Sequence, residues 1–171
     1  RTNEIPADYA MYYNDQSGFE VMIPASWTLG ASGNAVVATD GDTGASETLM
    51  MTNNTSYFDS VTATDMAKIL NTGQSGFMMN SYDNSKETAT AKCTYIIDNV
   101  QYQETVYGYA TGKAMYFVTF DYEAGTVSDE TIELCGNSFR TFGQTSENTS
   151  DTEEPQSDTA SSSADTNVQN E

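Results

Sequence analysis

Few kinds of residue in this chain are equipped for chemistry. It has two cysteines, Cys93 and Cys135, 25 Asp and Glu, 11 tyrosines, one tryptophan at Trp27 and no histidine. Without histidine, the commonest general base, metal ligand and near-neutral titrating group is missing. Two cysteines are too few for a thiolate zinc site that lacks imidazole, and they stand too far apart for a CxxC redox pair. A cysteine nucleophile has no imidazole to activate it, and a serine nucleophile finds neither His nor a Ser-x-x-Lys base. Glycoside hydrolysis needs only two facing carboxyl groups, but no spacing in the sequence pairs them. The turn "TDGDTGASE" offers the oxygens of Asp40, Asp42, Ser46 and Glu47, yet it breaks the calcium-loop pattern at Gly44 and Ala45 and reads better as a hairpin turn. "GASGNA" lacks the lysine of a phosphate loop. The sequence therefore assigns no catalytic residue, no cofactor site and no metal site.

What remains is binding and cross-linking. Trp27 has two readings: a stacking platform or partner hot spot, or a lid folded back over one end of the core after Pro24 stops a strand. Tyr107 and Tyr109 share a strand face with Gln103 and Thr105. That face reads as a carbohydrate- or protein-contacting patch, or as an amphipathic strand lying under a helix. Cys93 and Cys135 both fall on apolar faces. They form a disulfide if the strand of one packs on the helix of the other, and otherwise remain two buried thiols.

The totals narrow the partner. Six basic against 25 acidic residues give a net charge of −19. That excludes a phosphate-backbone binder and argues against electrostatic attachment to anionic lipid. No apolar run approaches a membrane span. The chain opens on Arg1, and the expectation is a mature form whose export signal or lipid anchor lay upstream. Its abundance of Ser, Thr, Asn, Tyr and Gly resembles exported bacterial surface proteins.

These residues must be held by a core, and composition marks where it ends. Residues 144–171, "QTSENTSDTEEPQSDTASSSADTNVQNE", contain seven acids and no base. Such a segment buries too little apolar surface to offset its ordering entropy and is expected to be a disordered tail. Residues 1–8 are expected to be a loose lead, leaving a single domain over 9–143.

Within that domain the period is mostly two. "GFEVMI", "NAVVATD" and "SETLMMTN" read as strands, the last two joined by "DGDTGA". Thr62, with Asp65 three residues on, caps a helix carrying Met66, Ile69 and Leu70. "TAKCTYII" and "VQYQETVYGYA" meet across Asp98-Asn99, a two-residue hairpin turn. In "AMYFVTFDY" one face carries Tyr116, Val118, Phe120 and Tyr122 and the other Met115 and Phe117, so both faces must be covered, and a sheet with helices on each face, of α+β class, is expected. A final helix begins near Ser128 and aligns Ile132, Cys135 and Phe139.

The order of "GFEVMIPASW", a middle helix, a meander with "GKAMYFVTF" and a closing "GNSFRTF" resembles the PsbP-like family across about residues 18–142. That family includes the extrinsic protein of the photosynthetic oxygen-evolving complex, a Ran-binding import factor and bacterial exported lipoproteins of unassigned role. The resemblance implies an α+β fold, an antiparallel β-sheet flanked by helices on both faces as an α/β/α sandwich. It also implies a non-enzymatic binding or assembly role. It transfers no catalytic residues, and the metal sites of plant members use histidine that this chain lacks. The expected function is an extracytoplasmic, lipid-anchored or surface domain that binds or scaffolds an unidentified protein. The alternative is a small-ligand or glycan-binding module using Trp27, Tyr107 or Tyr109.

Overall fold

The meander of the second half sets the architecture. Its strands are β7 (Thr88–Ile97), β8 (Val100–Ala110) and β9 (Met115–Glu123). Between β7 and β8, Asp98 and Asn99 take φ of 52° and 66°, the paired left-handed turn whose twist suits a hairpin. The computed structural model describes residues 4–142. The lead expected over 1–8 is described from residue 4, and the tail expected over 144–171 lies outside the described residues.

The chain begins with β1 (Tyr9–Asn14), β2 (Phe19–Pro24), β3 (Thr28–Ser32), β4 (Ala35–Thr39) and β5 (Ser46–Thr52). A 3-10 turn (Phe58–Ser60), α1 (Ala63–Leu70) and β6 (Met78–Asn84) lead into the meander. After it come α2 (Asp129–Gly136) and β10 (Arg140–Thr141). Seven strands form one antiparallel sheet in the order β3-β4-β5-β9-β8-β7-β6, and β1-β2-β10 form a second sheet.

The two faces of β9 feed two cores. Tyr116, Val118, Phe120 and Tyr122 join Phe19 and Val21 of β2, Leu49 of β5 and Ile132, Cys135 and Phe139 at the chain's end. Met115 and Phe117 join Phe58, Met66 of α1, Ala89, Ala91 and Val106. Gly108 makes the second core possible, since a Cβ there would stand 2.5 Å from Cζ of Phe58. Thr62 and Asp65 form the expected capping box of α1.

The α+β class and the α/β/α sandwich with helices on both faces, expected from the strand pattern and from the resemblance, are not what is found: the described residues are mostly β, in two sheets. Ten strands stand against two α-helices of eight residues each among the described residues. An eight-residue helix is about 12 Å long, whereas a seven-stranded sheet is roughly 30 Å wide. One face of the large sheet is covered by the second sheet together with α2. The apolar residues on both faces of β9 are covered, one face by a sheet as well as a helix.

Candidate functional site

Helix α2 is the element around which the concave surface is organised. Ser128 starts it by accepting the backbone N–H of Thr131 at 3.1 Å, and Asp129 and Glu130 place negative charge in the first turn. Ile132, Cys135 and Gly136 face the core. Gly136 is required there, because any Cβ would fall within the ring of Tyr107. The N–H of Asn137 donates to the carbonyl of Glu133 at 3.0 Å as the helix ends. Ser138 Oγ then accepts from the N–H of Met22 at 2.7 Å and donates to the Cys135 carbonyl at 2.6 Å, fixing α2 to β2.

A groove lies on each flank of α2, and Glu133 lines both. The first, about 440 Å³, runs over the β6–β8 face of the large sheet toward Asp129 and Ile132. Its walls include Asn80, Lys92, Gln103, Thr105, Tyr107 and Tyr122. Thr105 Oγ1 and the Tyr122 hydroxyl are hydrogen-bonded at 3.1 Å, and Asn80 donates to Thr94 at 3.3 Å. The second, about 720 Å³, lies between α2 and the N-terminal segment. Pro6, Met22 and Leu134 form an apolar floor, with Glu4, Glu130 and Glu133 among the polar residues around it. Arg140 also borders it, but its guanidinium donates to the carbonyls of Asn137 at 3.1 Å and Phe139 at 2.7 Å.

The residues singled out in the sequence fall as follows. Tyr107 is buried beneath α2, edge-on to Phe120 at 6.1 Å, and contributes its ring to the first groove. Tyr109 is half-buried; its hydroxyl donates to the carbonyl of Gly136 and its ring stacks on Phe139 at 4.7 Å. Burial pushes both phenols up to about 12. Trp27 sits in the turn between β2 and β3, half-buried against the larger core. It is on neither groove's lining. Cys93 and Cys135 are buried free thiols. Cys93 is in register with Glu104, and Glu104 with Asp121, which places it on the sheet face opposite the core that holds Cys135. The sheet lies between them, so the pairing considered from sequence is not formed.

The burial of two acidic features escaped the sequence reading. Glu104 of β8 and Asp121 of β9 are direct cross-strand partners whose carboxyls interact, while Glu104 Oε1 is buried with no hydrogen-bond partner among the described residues. The Tyr95 hydroxyl donates to Asp121 at 2.9 Å while its ring stacks on Tyr102 at 5.6 Å. Burial, then the neighbouring Asp121, pushes the Glu104 carboxyl up to about 8. Glu47 of β5 is buried in the larger core, 3 % exposed, with neither carboxyl oxygen hydrogen-bonded among the described residues. Burial raises it well above the ordinary carboxylate range. Among the described residues, no group of three or more Cys, Asp and Glu is arranged to hold a metal ion.

With the geometry in place, comparison with known proteins defines the class. No protein-family model matches the chain, and no curated protein matches it. The solution structure of cyanobacterial PsbP from Synechocystis superposes with a TM-score of 0.55 at 18% identity, covering 80% of this chain and 94% of that one. A crystal structure from Bacteroides thetaiotaomicron gives 0.54 at 12% identity, covering 77% of this chain and 47% of that one. The chain thus spans about half the length of the Bacteroides protein. These likenesses establish a PsbP-like fold.

Proposed function

We propose that this chain is a non-enzymatic, extracytoplasmic binding domain whose partner is another protein. The observation that carries the reading is the groove floored by Pro6, Met22 and Leu134 and rimmed by charge, since an apolar centre within a polar rim is the anatomy of a protein contact. The bonds of Ser138 to β2 and α2 give that groove rigid walls. A two-carboxylate glycosidase, the hydrolase weighed from sequence, is disfavoured by how the acids are used. Glu104 and Asp121 touch each other, whereas carboxyl pairs that hydrolyse glycosides stand about 5 Å or more apart to admit substrate.

The extracytoplasmic part is supported by composition and by the PsbP-like fold. No helix among the described residues is long and apolar enough to cross a membrane. Attachment through a lipidated segment N-terminal to Arg1 belongs to the same reading, and protease treatment of intact cells followed by mass spectrometry tests both.

A second reading is favoured by the first groove. Its hydroxyl- and amide-lined space beside Tyr107 and Tyr122 suits a small polar ligand or glycan. The two readings separate experimentally. Leu134→Asp abolishes capture of a specific envelope protein if the apolar groove is the site. Gln103→Ala with Lys92→Ala abolishes retention of a glycan if the polar groove is. Loss of neither ligand with either variant contradicts both.

A further inference from the structure

The apolar groove beside α2 has a charge pattern that specifies what enters it. Its floor is aliphatic and thioether: Pro6, Leu134 and the buried Met22. Glu4, Glu130 and Glu133 stand around it, all exposed. The single cation on the lining, Arg140, is turned back onto the carbonyls of Asn137 and Phe139 at the end of α2. Its Nη1 is held at the helix terminus, and among the described residues of the lining three carboxylates outnumber this one cation over the apolar floor.

We propose that this groove receives a lysine- or arginine-bearing segment of the partner protein. The inference rests on the reading of this groove as the partner site. Long cationic side chains have an aliphatic stem and a charged head, and they lay the stem on apolar surface while the head reaches polar groups. Here the stem lies on Met22, Pro6 and Leu134 and the head reaches Glu130, Glu133 and Glu4. An acidic or neutral apolar segment would bring three carboxylates into contact with nothing that balances them. A second copy of this chain is disfavoured by the net charge of −19 that each copy carries. An anionic lipid surface meets the same repulsion.

The test uses two fluorescent synthetic peptides of alternating Leu-Lys and Leu-Glu, titrated against the full chain and read by anisotropy. The Leu-Lys peptide binds, and binding weakens about tenfold between low and high salt. Glu130→Gln with Glu133→Gln weakens it about tenfold or more, while Asp40→Asn with Asp42→Asn, on the remote β4–β5 turn, changes it less than about twofold. Both double variants replace exposed carboxylates by near-isosteres, so each is expected to fold. Equal weakening by the two double variants overturns the proposal in favour of general attraction to an acidic protein. Equal binding of both peptides, lost in Leu134→Asp, overturns the basic specificity and leaves the groove reading standing. Binding of neither peptide overturns both. A dimer in sedimentation, or binding to phosphatidylglycerol vesicles, that Leu134→Asp abolishes gives the groove another occupant and also overturns it.

Discussion

Glu104 and Asp121 face each other across β8 and β9 with their buried carboxyls against each other, and the hydroxyl of Tyr95 closes on Asp121 from β7. Such a contact requires a proton between the two carboxyls. Cys93 lies beside both carboxyls and supplies no positive charge. The pair is a proton-holding element in the wall of the sheet.

Stability should therefore fall as pH rises. The folded Glu104 carboxyl is raised to about 8, above its ordinary value of 4.5. The folded state then holds a proton that the unfolded state releases between those values. That contribution is complete below about 4.5 and is lost as pH climbs through 8. Glu47, also raised by burial, adds in the same direction. Thermal melting should drop by several degrees, about 3–8 °C, between pH 5 and pH 8. Glu104→Gln, which keeps a hydrogen-bond donor toward Asp121, should flatten much of the slope. A melting temperature that rises over this range contradicts the shared proton.

The close approach of α2 to the sheet predicts a large effect from one methyl group. Gly136→Ala drives a Cβ into the ring of Tyr107, which is itself packed on Phe120. The expected loss is about 2–3 kcal/mol, typical of overpacking in a filled core. Gly108→Ala does the same against Phe58 on the other face. Denaturant midpoints within about 0.5 kcal/mol of wild type would mean that α2 sits farther out than described.

The thiols should be present and silent. Cys93 is pushed up to about 12 by burial first and by Glu104 and Asp121 next. Cys135 is raised by burial and by Glu47. A thiol reagent should find none in the folded protein and two after denaturation without reductant. Two masked thiols that appear only after reduction would show a bond that the sheet between them forbids.

Trp27 is half-buried at the rim of the larger core, and its emission should be partly shielded from acrylamide. Trp27→Ala should cost about 1–3 kcal/mol, the scale of a partly buried aromatic. A fully quenched, red-shifted emission with a cost under about 0.5 kcal/mol would remove Trp27 from the core and return it to the surface.

Much of the fold was legible where the signal is local. Thr62 and Asp65 announced a capping box, Asp98-Asn99 a tight turn, and the alternation along β9 correctly divided Tyr116, Val118, Phe120 and Tyr122 from Met115 and Phe117. Elements without clean alternation were missed. β1, "YAMYYN", has apolar and aromatic residues on both faces, and β6, "MMNSYDN", is an edge strand with Met78 60 % exposed. The identity of the covering layer was also hidden, because apolar faces state that a cover is needed and not whether it is helix or sheet.

The site was less legible because its relationships are non-local. Gln103, Thr105 and Tyr107 were correctly placed on one face of β8, and they line the polar groove. The meeting of Tyr107 with Gly136, 29 positions later by numbering, depends on where α2 docks. Glu104 finds Asp121 only once the β8–β9 register is fixed, so an ordinary-looking acid in each strand gave no warning. Glu47 was read with a polar turn, yet its register opposite Phe120 carries it into the core.

The central claim is that a partner protein seats against α2 at Leu134. Site-specific photocrosslinking in living cells tests it directly, with a benzophenone amino acid at position 134 and, as control, at Leu29 on the open edge strand β3, where the residue is 47 % exposed. A discrete protein adduct from position 134 that position 29 does not give is the result expected. No adduct at 134, or the same adducts from both positions, would contradict the account.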